Sequence, residues 1–181
     1  MGVVADYARV IDALRRPLPA YMAFVQHDHV TGMANADDER RIVVRTADHA
    51  IVHGTTTDNT SVKGATFEPS CYQPTAERTI ERDGHRVLAF DLRPTCGDSS
   101  DSPFTVLYAD AATMQPLQAT GDHDKEHARV TVDQRFTRTQ GYTVPASLIV
   151  GVDGDGAAFW LHVHVDERYR DYHFSATDPG A

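Results

Sequence analysis

The chain has 181 residues, a hydrophobic fraction of 41% and a formal net charge of −9, with 26 Asp and Glu against 17 Lys and Arg. That length suits one domain over residues 1–181 with its own core, and the composition is that of a folded chain, not a disordered one. The acidity argues against an extended nucleic-acid or anionic-membrane surface, because both need clustered cations, and no run of about 18 apolar residues is present to form a membrane-spanning helix.

Residues 3–15, VVADYARVIDALR, open the chain with helical spacing. Val3, Val4, Tyr7, Val10, Ile11 and Leu14 form one apolar stripe, and Pro17 and Pro19 end the helix. Asp6, Arg9 and Asp12 interrupt it, so it does not read as a signal peptide. Residues 21–30 are extended, with both faces apolar at the start. Residues 31–39, TGMANADDE, read as a turn and 41–53, RIVVRTADHAIVH, as a long strand. Residues 54–79 are rich in Thr, Asp, Asn and Pro and read as an irregular stretch available as a lid.

Order resumes at 80–82, turns at Asp83-Gly84, and continues in the strand HRVLAFDLRP, where Leu88, Phe90 and Leu92 share a face. After a polar loop, FTVLYAD and PLQAT form a hairpin, with Asp110 leaving the first strand, Thr113 in the turn and Pro116 opening the second strand. GDHDKEH reads as a turn. In the strand ARVTVDQRFTR, Val130, Val132 and Phe136 oppose Arg129, Thr131, Asp133, Arg135 and Thr137. GYTVPASLIVGV is a strand interrupted at Pro145, DGDG at 153–156 a turn, AAFWLHVHV a returning strand and DYHFS a short last one. About nine strands and one helix predict a mainly β domain.

Two constellations carry candidate chemistry. Ten histidines are many for this length. His162 and His164, two apart on a strand, place both imidazoles on one face about 7 Å apart by strand rise, a spacing that can hold zinc. His27 and His29 repeat the geometry. Cys71 and Cys96 lie outside any C-x-x-C spacing. A bridge between them would close a loop of roughly 25 residues, worth about 3 kcal/mol, in an exported protein; two free thiols are the alternative. No G-x-S-x-G, H-E-x-x-H or dinucleotide fingerprint occurs, so no catalytic residue is assigned.

Asp83-Gly84 ahead of the strand 85–93, followed by Tyr108, Asp110, Thr113, Pro116 and Leu117, resembles the LolA/LolB superfamily of outer-membrane lipoprotein carriers, in which a V-D-x-x-T-x-x-P-L hairpin follows a D-G…V-L strand. The resemblance covers residues 80–150 well and the remainder by order of elements. It implies an incomplete antiparallel β-barrel, a strongly curved sheet with an N-terminal helix and a lid segment. It implies export to the periplasm, an apolar cavity that can hold acyl chains, and no catalytic residues. A cytoplasmic location is the alternative.

The expected function is therefore non-enzymatic binding of a hydrophobic ligand, a lipid or an acylated protein. One-face periodicity nominates Leu88, Phe90, Leu107, Val132, Phe136, Leu161 and Val163 as the apolar lining. Two alternatives stand beside it: a metal-binding protein or metal-dependent enzyme that uses zinc at His162 and His164, and a structural or interaction module of the cell envelope.

Overall fold

The computed structural model describes residues 2–32, 35–54, 67–97, 102–125, 128–156 and 159–180; of residues 125, 155, 156 and 159–161 it describes the backbone alone. One helix, α1 (Val3–Leu14), is followed by β1 (Tyr21–Gly32), β2 (Ala36–Arg45), β3 (Ala50–His53), a 3-10 turn at Pro69–Cys71, β4 (Tyr72–Arg82), β5 (His85–Pro94), β6 (Val106–Asp110), β7 (Pro116–Lys125), β8 (Ala128–Thr139), β9 (Tyr142–Gly156) and β10 (Phe159–Ser175). The strands form one antiparallel sheet in the order β3-β2-β1-β10-β9-β8-β7-β6-β5-β4. Its two end strands do not pair with each other, so the sheet is an incomplete barrel, as the sequence predicts.

Several element boundaries differ from expectation. The expected strand 41–53 divides into β2 and β3 because Asp48 builds a tight turn: its carboxylate accepts from the Arg45 guanidinium at 2.6 Å and from the Ala50 N–H at 3.2 Å. The expected turns at 31–39, 121–127 and 153–156 mostly belong to strands: β1 ends at Gly32, β2 begins at Ala36, β7 runs to Lys125 and β9 to Gly156. In β7, Asp122 faces Thr131 and Asp124 faces Arg129 across the ladder. Ladder hydrogen bonds use the backbone, so a polar run can propagate a strand wherever a neighbouring strand is in register. For the same reason β4 begins at Tyr72, inside the stretch read as irregular, and the last strand is one continuous run to Ser175. Residues 55–66 and 157–158 lie outside the described residues.

Among the described residues, three of the five register shifts in the sheet fall at prolines. A register shift falls at Pro74 in the β4–β5 pair, at Pro116 in β6–β7 and at Pro145 in β8–β9. Proline brings no N–H to the ladder, so a regular pairing would leave a carbonyl unmatched, and the chain inserts an extra residue instead. Each such bulge bends its strand and increases the local twist. The sheet needs that curvature, because a single core cluster draws on Val30 of β1, Val165 of β10, Leu148 and Val150 of β9, Val132 of β8 and Leu107 of β6, together with residues of β7, β5 and β4. A flat sheet cannot gather residues of β1 and β4, third and tenth in the order, into one cluster.

That helix is α1. Its stripe is buried in part: Tyr7, Val10 and Ile11 are buried and Val3 and Leu14 pack at the margin, but Val4, counted in the stripe, is 66% exposed, and Asp6 is buried in its place. It touches β4, β7 and β9. Around it, Phe67 stacks on Tyr72 at 5.0 Å, with Phe104 edge-on to both. The turn between β6 and β7 forms as its residues predict, with Asp110 Oδ1 accepting from the Thr113 N–H and hydroxyl, both at 2.7 Å. Cys71 and Cys96 form a disulfide that ties the start of β4 to the end of β5. The exposed ends of the sheet are guarded: β3 is four residues long, and β4 carries Pro74 and the charged run Glu77, Arg78, Glu81 and Arg82.

Candidate functional site

The inner face of the curved sheet collects most of the nominated residues. Leu88, Phe90, Leu107 and Val132 are buried in the core cluster, and Phe136 and Val163 pack against it. The side chain of Leu161 lies outside the described residues. The six described residues thus lie on one face because each strand alternates and the bulges keep the alternation aligned. Helix α1 packs over part of this face. Tyr7 meets Phe90 edge-on at 5.6 Å. Burial pushes the Tyr7 phenol up to about 12, and its hydroxyl is buried without a hydrogen-bond partner among the described residues. A polar group left in this way costs about 1–3 kcal/mol, so the cover fits the sheet less than perfectly.

Sequence reasoning left out further residues of this face. Leu148 and Val150 are buried, and the alternation of SLIVGV could have nominated them. Tyr7, Val10 and Ile11 were recognised as a stripe but not as part of the site, since nothing local says which surface a stripe covers.

A polar patch continues the inner face across β2, β1 and β10, where Gln26, Asp28, Arg40, Glu167 and Tyr169 lie in facing positions. The Arg40 guanidinium pairs with Asp28 and with Asp38, the latter at 2.6 Å, and Gln26 donates to Asp28 at 2.7 Å. Tyr169 donates to Glu167. Burial raises the Glu167 carboxyl above its ordinary value, with the Asp28 charge acting in the same direction, and burial raises Tyr169 far more. No signal in the sequence marks the patch, because β1 and β10 lie more than a hundred residues apart in the chain.

The histidines lie on the opposite, convex face. β1 and β10 prove adjacent, so His27, His29 and His164 share a surface: His29 pairs across with Asp166, and Thr31 with His164. Asp37 of β2 bridges His27 Nε2 at 2.6 Å and His29 Nδ1 at 3.2 Å, and these contacts hold its carboxyl below the usual range. His162 Nδ1 lies 2.5 Å from Asp153 on β9. His162, His164, Asp153, Thr31 and Thr131 surround a depression of about 290 Å3 floored by Gly151, where a Cβ would come within 2.6 Å of the Thr131 hydroxyl. Among the described residues, no three His, Cys, Asp or Glu groups are arranged to hold a metal as they stand, and no helix is long and apolar enough to cross a membrane.

No family model and no curated protein matches the chain. Solved structures resemble it over nearly its whole length, two of them as follows. A LolA superfamily protein from Nitrosomonas europaea superposes with a TM-score of 0.51 at 12% identity, covering 99% of this chain and 97% of that one. A DUF1329 family protein from Desulfovibrio piger gives 0.50 at 11% identity, covering 95% and 92%. At such identities the likeness concerns the fold alone, and the fold is LolA-like.

Proposed function

We propose that this chain is a non-enzymatic carrier that binds a lipid, or the acyl group of a lipid-modified protein, on the inner face of the sheet in the place now taken by α1. The observation that carries the reading is that a single helix, through three buried side chains and two marginal ones, covers an apolar face contributed by most of the sheet. Fully burying Tyr7, Val10 and Ile11 is worth roughly 5–9 kcal/mol, and an acyl chain regains about 0.8 kcal/mol per methylene. A chain of roughly 6–11 methylenes therefore offsets the loss of the helix contacts, which puts ordinary membrane-lipid chains in range. The LolA-like fold supports the same reading. The disulfide fits an exported protein in an oxidising compartment such as the periplasm.

The test is mass spectrometry of an organic extract of the purified protein, with binding of a fluorescent fatty acid as a second arm. A stoichiometric lipid or saturable binding supports carriage; a clean extract together with no binding removes it. A second reading places zinc on the convex face at His162 and His164. Its support is the two histidines on one face with Asp153 beside His162, a set that would have to rearrange to hold the metal, since no three such groups are so placed among the described residues. Metal analysis of untagged protein separates the two: about one equivalent of zinc supports a metal site, and none dismisses it.

A further inference from the structure

At the C-terminal end of α1, a groove of about 390 Å3 opens between the helix, the turn after β6 and the β8–β9 hairpin. Arg15, Arg16 and Arg138 line it, with Asp12 as the one carboxylate. In a chain of net charge −9, most arginines find an acid. Arg40, Arg45, Arg78, Arg129, Arg168 and Arg170 all do. Arg15, Arg16 and Arg138, like Arg41, Arg82, Arg86 and Arg93, enter no ion pair among the described residues, and these three are gathered on one groove.

One of the three is held in place. Arg16 donates from Nη1 to the Gly141 carbonyl at 2.8 Å, and its guanidinium lies 5.2 Å over the Tyr142 ring. Gly141 has φ of 84°, and a Cβ there would approach Arg16 Nη1 to 3.1 Å, so the hairpin turn is shaped to admit the guanidinium. A fixed, planar fork of N–H donors is the feature that suits phosphate.

Through Arg16 the groove also borders a row of aromatic rings. From Tyr142, ring contacts run to Phe174 at 4.7 Å, on to Tyr172 at 6.2 Å and then to Phe24 at 5.4 Å, which is buried on the inner face. A row of packed aromatic rings therefore leads from the cationic rim to Phe24 of β1.

We infer that this rim groove binds the phosphate of an anionic lipid headgroup whose acyl chain lies along the aromatic track. The inference rests on the carrier reading above and adds the ligand class. The competing explanation for Arg15 and Arg16 is that they complement the negative end of the α1 dipole; it does not account for Arg138, which comes from β8.

The experiment uses calorimetry on the full chain with three probes: dodecanoyl lysophosphatidic acid below its micelle concentration, monododecanoylglycerol, which differs by the phosphate alone, and inorganic phosphate. The inference expects the phospholipid to bind at least about tenfold tighter than the glyceride, with that advantage lost at high salt and in Arg138→Gln, an exposed position where the substitution leaves the fold intact. The glyceride affinity should be unchanged in the variant. Equal binding of both lipids, indifferent to the variant, overturns the headgroup site while leaving carriage standing. Inorganic phosphate binding as tightly as the phospholipid, with no glyceride binding, keeps a phosphate site and overturns its lipid source. No binding of any probe overturns both readings.

Discussion

The hydroxyl of Tyr7 offers a direct test of α1 as a removable cover. Tyr7→Phe deletes one atom that is buried and unpartnered, and it leaves the ring contact with Phe90 in place. Relief of the desolvation penalty should stabilise the protein by about 1–3 kcal/mol. For a chain of this size that is an increase in Tm of about 2–10 °C. The same energy stabilises the covered state over any state with α1 lifted. Ligand uptake that requires lifting should therefore slow by about fivefold to about 150-fold. A second signature comes from the raised phenol. Because its folded value is about 12 against an ordinary 10.0, the folded state holds this proton more tightly, so the wild type loses stability as pH rises from 10 towards 12 and the variant should not lose that part. Denaturant titration with an unchanged slope, run at neutral and alkaline pH, measures the first and third effects, and stopped-flow uptake of a fluorescent fatty acid measures the second. A lowered midpoint would show that the hydroxyl has a partner in the folded state and would refute the argument at its root. Higher stability with unchanged uptake would show that α1 does not gate the face.

Three other expectations follow from the packing. Glu167→Gln should raise stability at neutral pH and abolish the loss that the wild type shows as pH climbs from the ordinary value of 4.5 through the raised folded value, since burial makes the carboxylate costly; urea midpoints across that range are the readout, and an unchanged pH profile would contradict it. Replacing Cys71 and Cys96 together by Ser should lower stability by about 3 kcal/mol, read as a midpoint shift that reductant reproduces in the wild type. Gly121→Ala should cost roughly 2–3 kcal/mol or prevent folding, because its Cβ would sit 1.8 Å from the Pro103 carbonyl oxygen, a backbone atom with little room to yield; wild-type stability in that variant would mean the close approach is absent in solution.

Much of the architecture was readable along the chain because its causes are local. Proline removes a donor wherever it stands, so Pro116 opens its strand and Pro145 interrupts one, and Asp110 with Thr113 dictates a turn from within five residues. Alternation placed Leu88, Phe90 and Val132 on a single face, and helical spacing picked out Tyr7, Val10 and Ile11 as a stripe. These features reflect backbone donors, dihedral preferences and side-chain periodicity, none of which needs a distant partner.

What the chain could not declare was which distant pieces would meet. The polar runs at 121–125 and 153–156 look like turns until a neighbouring strand satisfies their backbones. Asp28 and Glu167 look like solvated acids until β1 and β10 pair and bury both, and His29 and His164 acquire a common face through the same pairing. Cys71 and Cys96 could have remained thiols; the register of β4 on β5 brings them together. The rim arginines are scattered through the sequence at 15, 16 and 138, and only the seating of α1 against the sheet assembles them. Adjacency across more than a hundred residues is decided by which closure buries the most apolar surface while satisfying the backbone. That choice belongs to the whole chain at once, so no local stretch records it.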